Sequence, residues 1–243
     1  MVRQRIVRSS RYSDARRMPR SWAACGHTTL WTRLIGALSR LIGIAQPGTA
    51  PNGDIFVADG HGHGLFEGHQ TNDRIVKLSE DGTFIATWGK HGSAPGEFDV
   101  PHGLAMDSTG RLYIGDRSKS RVQIFDQSGN FIAEWKQFGR PSSVYIDKND
   151  KIYVADSQSD DKTNPGFKKG IRIGSIKDGK VLAFIPLTDT AIGAAEQLAA
   201  DDQGNIFAGF TDEGENGREE VCEELNNTEC LLLAQSGHGN RAD

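Results

Sequence analysis

Between Val100 and Trp135, apolar and polar positions alternate in four short runs: His102–Asp107, Arg111–Asp116, Arg121–Asp126 and Phe131–Trp135. Period-two alternation over four to six residues predicts half-buried β-strands. Turn signals separate the runs, at Asp107-Ser-Thr-Gly110, Arg117-Ser-Lys-Ser120 and Asp126-Gln-Ser-Gly129-Asn130. Glycine supplies positive φ at such turns, and Asp or Asn caps them with its own side chain. Four strands joined by tight turns predict an antiparallel meander, the unit of a β-propeller blade.

The same pattern recurs along the chain. Gly53-Asp-Ile-Phe-Val-Ala-Asp59 matches Gly110-Arg-Leu-Tyr-Ile-Gly-Asp116, Asp150-Lys-Ile-Tyr-Val-Ala-Asp156 and Gly204-Asn-Ile-Phe-Ala-Gly-Phe210. The copies lie 57, 40 and 54 residues apart, with the excess in loops such as His61–Asn72 and Ser157–Lys169. The innermost strand recurs at His102–Asp107, Ser142–Asp147 and Glu196–Asp201, and the outermost at Phe84–Trp88, Phe131–Trp135 and Val181–Ile185. A repeat near 40 residues with four strands per copy is the signature of a propeller. The fold class is therefore all-β, with about three blades present and the ring incomplete. The first blade shows no convincing inner strand before Pro51, and the fourth ends after its second strand. The repeated Asp59, Asp116 and Asp156 suggest a structural task, and Trp88 and Trp135 suggest packing between blades.

Charge divides the chain into three segments, although the net value is only −4. Residues 1–50 are Arg-rich and expected to be disordered, a targeting segment or non-native. Their apolar stretch at 30–44 is too short and too charged to span a membrane. Residues 51–210 carry the blades and are mildly acidic, which argues against a nucleic-acid partner. Residues 211–243 form an acidic tail of poor order in which Val221–Leu233 could form a short helix. Three cysteines without a CxxC spacing argue against a disulfide framework or a zinc knuckle.

The copies Pro-His-Gly-Leu-Ala, Leu-Tyr-Ile-Gly-Asp-Arg and Arg-Val-Gln-Ile-Phe-Asp resemble NHL repeats, a family of six-bladed β-propellers. The resemblance runs from about Pro51 to Phe210. Trp88-Gly89, Pro95-Gly-Glu-Phe98 and Val100-Pro-His-Gly-Leu-Ala are also similar to the propeller of peptidyl-α-hydroxyglycine α-amidating lyase and its bacterial relatives. That resemblance implies zinc held in the central channel by three histidines at the starts of inner strands in alternate blades. His102 matches one of them, and the matching position two blades on is Glu196. Gln197 stands where the family has its calcium-binding Asp, so calcium is not expected. Arg117 matches the catalytic Arg, and His61 occupies the place of the catalytic Tyr.

Each candidate has a structural alternative. His102 could line the channel without metal, since catalytic zinc needs three protein ligands and this chain offers His102 and Glu196. Arg117 could clamp a carboxylate or form a salt bridge between blades, for instance with an Asp of a neighbouring turn. The loop His61-Gly-His63-Gly-Leu-Phe-Glu67-Gly-His69 gathers further possible ligands in His63, Glu67 and His69, or it is a solvated loop. Two functions follow. One is a scaffold binding a small peptide-like ligand or a protein. The other is an amidating-lyase-like zinc enzyme, impaired here by its missing ligands. Export of related propellers points to a periplasmic or extracellular site.

Overall fold

A computed structural model describes residues 44–60, 72–187, 194–201, 203–211 and 220–225. They form four antiparallel sheets arranged in sequence order. The first contains β1 (Ile44–Thr49), β2 (Ile55–Asp59), β3 (Arg74–Leu78) and β4 (Phe84–Trp88). The second contains β5 (Pro101–Met106), β6 (Leu112–Asp116), β7 (Arg121–Phe125) and β8 (Phe131–Trp135). The third contains β9 (Pro141–Ile146), β10 (Lys151–Asp156), β11 (Gly170–Ser175) and β12 (Val181–Pro186). The fourth has three described strands, β13 (Ala194–Ala200), β14 (Ile206–Thr211) and β15 (Glu220–Leu225). The innermost strands β1, β5, β9 and β13 are neighbours in that order, so the sheets are consecutive blades of a propeller arc.

Two elements differ from the sequence reading. The first blade does have an inner strand, β1, lying before Pro51 and paired with β2 through Pro47–Val57, Gly48–Phe56 and Thr49–Ile55. Its sequence IAQPGT has no alternation and carries a proline, so the pairing edge of β2 makes it a strand. The second is β15, where a short helix was a candidate. Its acidic sequence EVCEEL has helix-forming residues, yet it pairs with β14 from Ile206–Leu225 to Thr211–Glu220. Partner geometry overrides propensity in both places.

Burial within a blade depends on strand position. All five residues of β6 and of β7 are buried, whereas outer β8 exposes Phe131 and Ile132. Middle strands are covered on both faces because the core lies between blades. Phe56, Ile75, Phe98, Leu104, Leu112 and Phe125 pack the first interface. Tyr113, Val122, Phe138, Val144, Ile152 and Ile176 pack the second, and Tyr153, Ile171, Ile173, Leu198 and Ile206 the third.

The tryptophans join successive blades. Trp88 lies 6.4 Å from Phe125 of the next blade, and Trp135 lies 5.9 Å from Phe138. Each indole also covers a hairpin glycine one blade on. A Cβ added at Gly129 would sit 2.8 Å from the Trp88 ring, and one at Gly179 would sit 2.7 Å from the Trp135 ring. Both glycines have positive φ, at 86° and 69°, so turn geometry and close packing select the same residue.

Repeated carboxylates brace each blade. Asp116, at the end of β6, accepts from Arg121 Nε at 2.8 Å and from the Asp99 amide at 2.7 Å. Asp59 pairs with Arg74 and Asp156 with Arg172, each at 2.9 Å. Arg121 further donates to the carbonyls of Ser93, Ala94 and Glu97, fastening the loop that delivers the chain to β5. The recurrence of Asp across blades is thus a structural ion pair and amide anchor. Asp107 and Asp147 cap the first hairpin of their blades and also accept the hydroxyls of Tyr113 and Tyr153, each at 3.1 Å.

Trp135→Ala is expected to destabilise the protein by about 3–5 kcal/mol, because it empties a filled interface between blades. Ile132→Ala, on the exposed outer edge, should cost less than about 1 kcal/mol. Urea denaturation of both variants separates the two; equal losses would contradict interblade packing by Trp135.

Candidate functional site

A recurring irregularity in the inner strands builds the site. Pro101 pairs with Asp116 and Leu104 with Ile114, leaving His102 and Gly103 opposite Gly115 alone. On β9, Ser142 is the extra residue between Pro141, which pairs with Asp156, and Ser143, which pairs with Ala155. On β13, Glu196 is extra between Ala195, paired with Phe210, and Gln197, paired with Gly209. Register thus makes His102, Ser142 and Glu196 equivalent positions in three consecutive blades. A bulge bends its strand and re-aims the extra side chain. All three lie at the same end of the inner strands.

These side chains meet. His102 Nδ1 lies 2.6 Å from the Ser142 carbonyl oxygen, and its Nε2 lies 3.3 Å from Glu196 Oε2. Arg117 Nη1 lies 3.8 Å from that same carboxylate oxygen. Ser157 Oγ donates to Glu196 Oε1 at 3.4 Å and bonds the Ser142 hydroxyl. Ser157 follows Asp156 as Arg117 follows Asp116, so these two are also equivalent across blades. Both of these partners of His102 are oxygens. Nδ1 thus faces the Ser142 carbonyl and Nε2 the Glu196 carboxylate.

Local structure holds Arg117 in place. It opens a single 3-10 turn, Arg117–Lys119, closed by Ser120 in the left-handed region at φ 52°. Its amide donates to the Val100 carbonyl at 3.2 Å, tying the turn to the residues entering β5. The guanidinium contact crosses from the second blade to the fourth. Arg117 therefore does form a salt bridge between blades, with Glu196 rather than an Asp of a neighbouring turn. Burial lowers its pKa; Glu196 opposes that shift, and the nearby positive charge of Arg140 adds to it. The side chains of His102, Arg117 and Glu196 retain 10%, 13% and 18% exposure, so the group is largely buried with a partial opening to solvent.

His102, Arg117 and Glu196, all candidates from sequence, are brought together. His61, His63, Glu67 and His69 lie outside the described residues. Sequence reasoning missed Ser142 and Ser157, although aligning the repeats by strand register would have found them. It also missed Arg140, which precedes Pro141 and donates through Nη2 to Gln158 Oε1 at 3.2 Å.

The separation of His102 Nε2 and Glu196 Oε2 is close to that of two ligands on one tetrahedral zinc. The described residues still do not fit a catalytic zinc centre. No group of three His, Cys, Asp or Glu able to hold a metal occurs among them, and Arg117 brings a cation to the same oxygen.

Residues 98–125, which include His102 and Arg117, match the NHL repeat family model. That stretch of the chain is an NHL repeat. NHL repeat-containing protein 3 of Homo sapiens is 31% identical over 144 residues, spanning 58% of this chain and 39% of that protein. Peptidyl-glycine alpha-amidating monooxygenase B of Xenopus laevis is 33% identical over 173 residues, spanning 65% of this chain and 18% of that protein. The chain thus covers well under two thirds of either relative. Among solved structures, hydrazine synthase of Kuenenia stuttgartiensis superposes with a TM-score of 0.55 at 15% identity, covering 77% of this chain and 47% of that one. At that identity the likeness is one of fold.

The blades leave little room at the site. A Cβ on Gly103 would sit 2.6 Å from the Val144 amide nitrogen and 2.9 Å from Ser143 Cα. Gly103→Ala is expected to push β5 from β9 and destabilise the protein by about 1–3 kcal/mol. The His102 ring signals should shift in NMR spectra. An unchanged unfolding midpoint would contradict this packing.

Proposed function

We propose that this NHL-repeat propeller is a binding scaffold that takes a small peptide-like ligand at the open end of its inner strands. The observation carrying this reading is the convergence of His102, Arg117 and Glu196 from two blades onto one partly open point. A guanidinium, an imidazole and a carboxylate together offer donors and acceptors to an amide backbone and its charged end. A propeller fold alone specifies no function, so the reading rests on these side chains. Among the described residues no helix is long and apolar enough to cross a membrane.

The test is an NMR titration of the full chain with N-acetylglycylglycine. Saturable shifts at His102 and Arg117, weakened about tenfold or more in Arg117→Gln, are expected. No saturable shift in the wild type would refute the site.

The amidating monooxygenase relatives and the meeting of His102 and Arg117 at the Glu196 carboxylate favour one second reading, an amidating-lyase-like activity releasing glyoxylate. It needs zinc on His102 and Glu196 with a further ligand beyond the described residues. The expected result is no glyoxylate above background from an N-acyl-α-hydroxyglycine. Stoichiometric zinc, with glyoxylate release lost in His102→Ala, would make the enzyme the better reading.

A further inference from the structure

Val100 is where two site residues are tied to the chain. It lies two residues before His102, and its carbonyl accepts the Arg117 amide at 3.2 Å. Its φ is 61°, in the left-handed region, and its side chain is buried. Local sequence opposes that conformation twice. A β-branched side chain crowds the backbone at positive φ. A following proline, here Pro101, favours extended backbone in the residue before it. A conformation disfavoured on both counts persists only where surrounding contacts impose it, and such positions cluster at functional sites.

The imposing contact comes from the first blade. Asp73, the residue before β3, is fully buried, and its Oδ1 accepts the Val100 amide at 3.0 Å. Its Oδ2 lies 2.8 Å from His91 Nδ1, which orients the carboxylate. Gly60 packs against the same point: a Cβ there would sit 2.3 Å from Pro101 Cδ and 3.0 Å from Asp73 Oδ1. Val100 is thus held at both polar groups, the amide by Asp73 and the carbonyl by Arg117. Pro101 then pairs with Asp116, and the bulge at His102 follows directly. Arg140, which precedes Pro141 in the third blade, is not at positive φ, so the blade itself does not require this device.

We infer that Asp73 is a positioning residue for the site. Through the Val100 amide it sets the backbone from which His102 leaves β5 and to which Arg117 is tied. This rests on the binding reading above for its effect on a ligand, and on the backbone alone for the rest. The device joins the first blade to a site built from the second and fourth.

The full chain is compared by NMR as wild type, Asp73→Ala, Asp73→Asn and the double variant Asp73→Ala/Val100→Gly, first without ligand and then with N-acetylglycylglycine. In Asp73→Ala the Val100 amide is expected to exchange with solvent about tenfold faster or more. The His102 ring and Arg117 amide signals should move, while those of Tyr153, packed between the third and fourth blades, stay in place. Affinity for the peptide should fall about tenfold. Asp73→Asn keeps an acceptor for the Val100 amide and should remain near wild type. Glycine takes positive φ without help, so Val100→Gly should return the His102 and Arg117 signals toward their wild-type positions in the Asp73→Ala background. A general loss of packing would not be repaired by removing a further buried side chain. Unmoved site signals in Asp73→Ala, or a double variant no closer to wild type than the single one, would overturn the positioning role. Should Asp73→Ala fail to fold, the double variant decides alone: wild-type site signals support the role, and any other result overturns it. A wild type that binds no peptide, with the ligand-free changes as expected, would overturn the binding reading and leave the positioning role standing.

Discussion

A four-stranded sheet of five- or six-residue strands cannot bury both of its faces alone, and the structure depends on neighbouring blades doing so. Each interface fills with side chains from two blades, and Tyr113, Phe125 and Tyr153 disappear from solvent only there. Trp88 and Trp135 enforce the spacing by covering glycines of the next hairpin. Stability is therefore largely a sum of contacts between neighbours, as in other repeat architectures. The buried Asp116–Arg121 pair adds register, because Arg121 also holds the carbonyls of the loop entering β5.

The functional end follows from that stacking. Blades packed face to face bring the first residues of their inner strands close together. One bulge per strand then offers a side chain at the same height in three consecutive blades. The backbone requires no particular residue there, since the bulge takes the position out of the ladder. His102, Ser142 and Glu196 differ in chemistry while sharing one backbone setting. A repeated scaffold can thus carry a site with no internal symmetry.

Much of this was legible in the chain. The strands Arg74–Leu78, Phe84–Trp88 and Phe131–Trp135 appear with the bounds that alternation implies, because turns with Asp and Gly delimit them tightly. The tryptophans and repeated aspartates declared structural tasks by recurring. The strands β1 and β15 were not legible, since Pro47 and a run of glutamates contradict strand propensity locally. Only hydrogen bonding to an existing edge assigns them.

Candidate chemistry divided in the same way. His102, Glu196 and Arg117 could be named because the resemblance to the amidating lyase, laid onto the repeats, points to those strand ends. Sequence by itself determined the repeating blade, its turns and the residue types at each channel position. It could not determine that Arg117 would reach past the third blade to Glu196, or that Arg140 would lie beside them with a buried Nε that finds no acceptor among the described residues. Those facts depend on the spacing and rotation between blades. Local hydrogen bonding does not encode these; they emerge when the aromatic interfaces close, and tertiary packing alone decided which charges share the site.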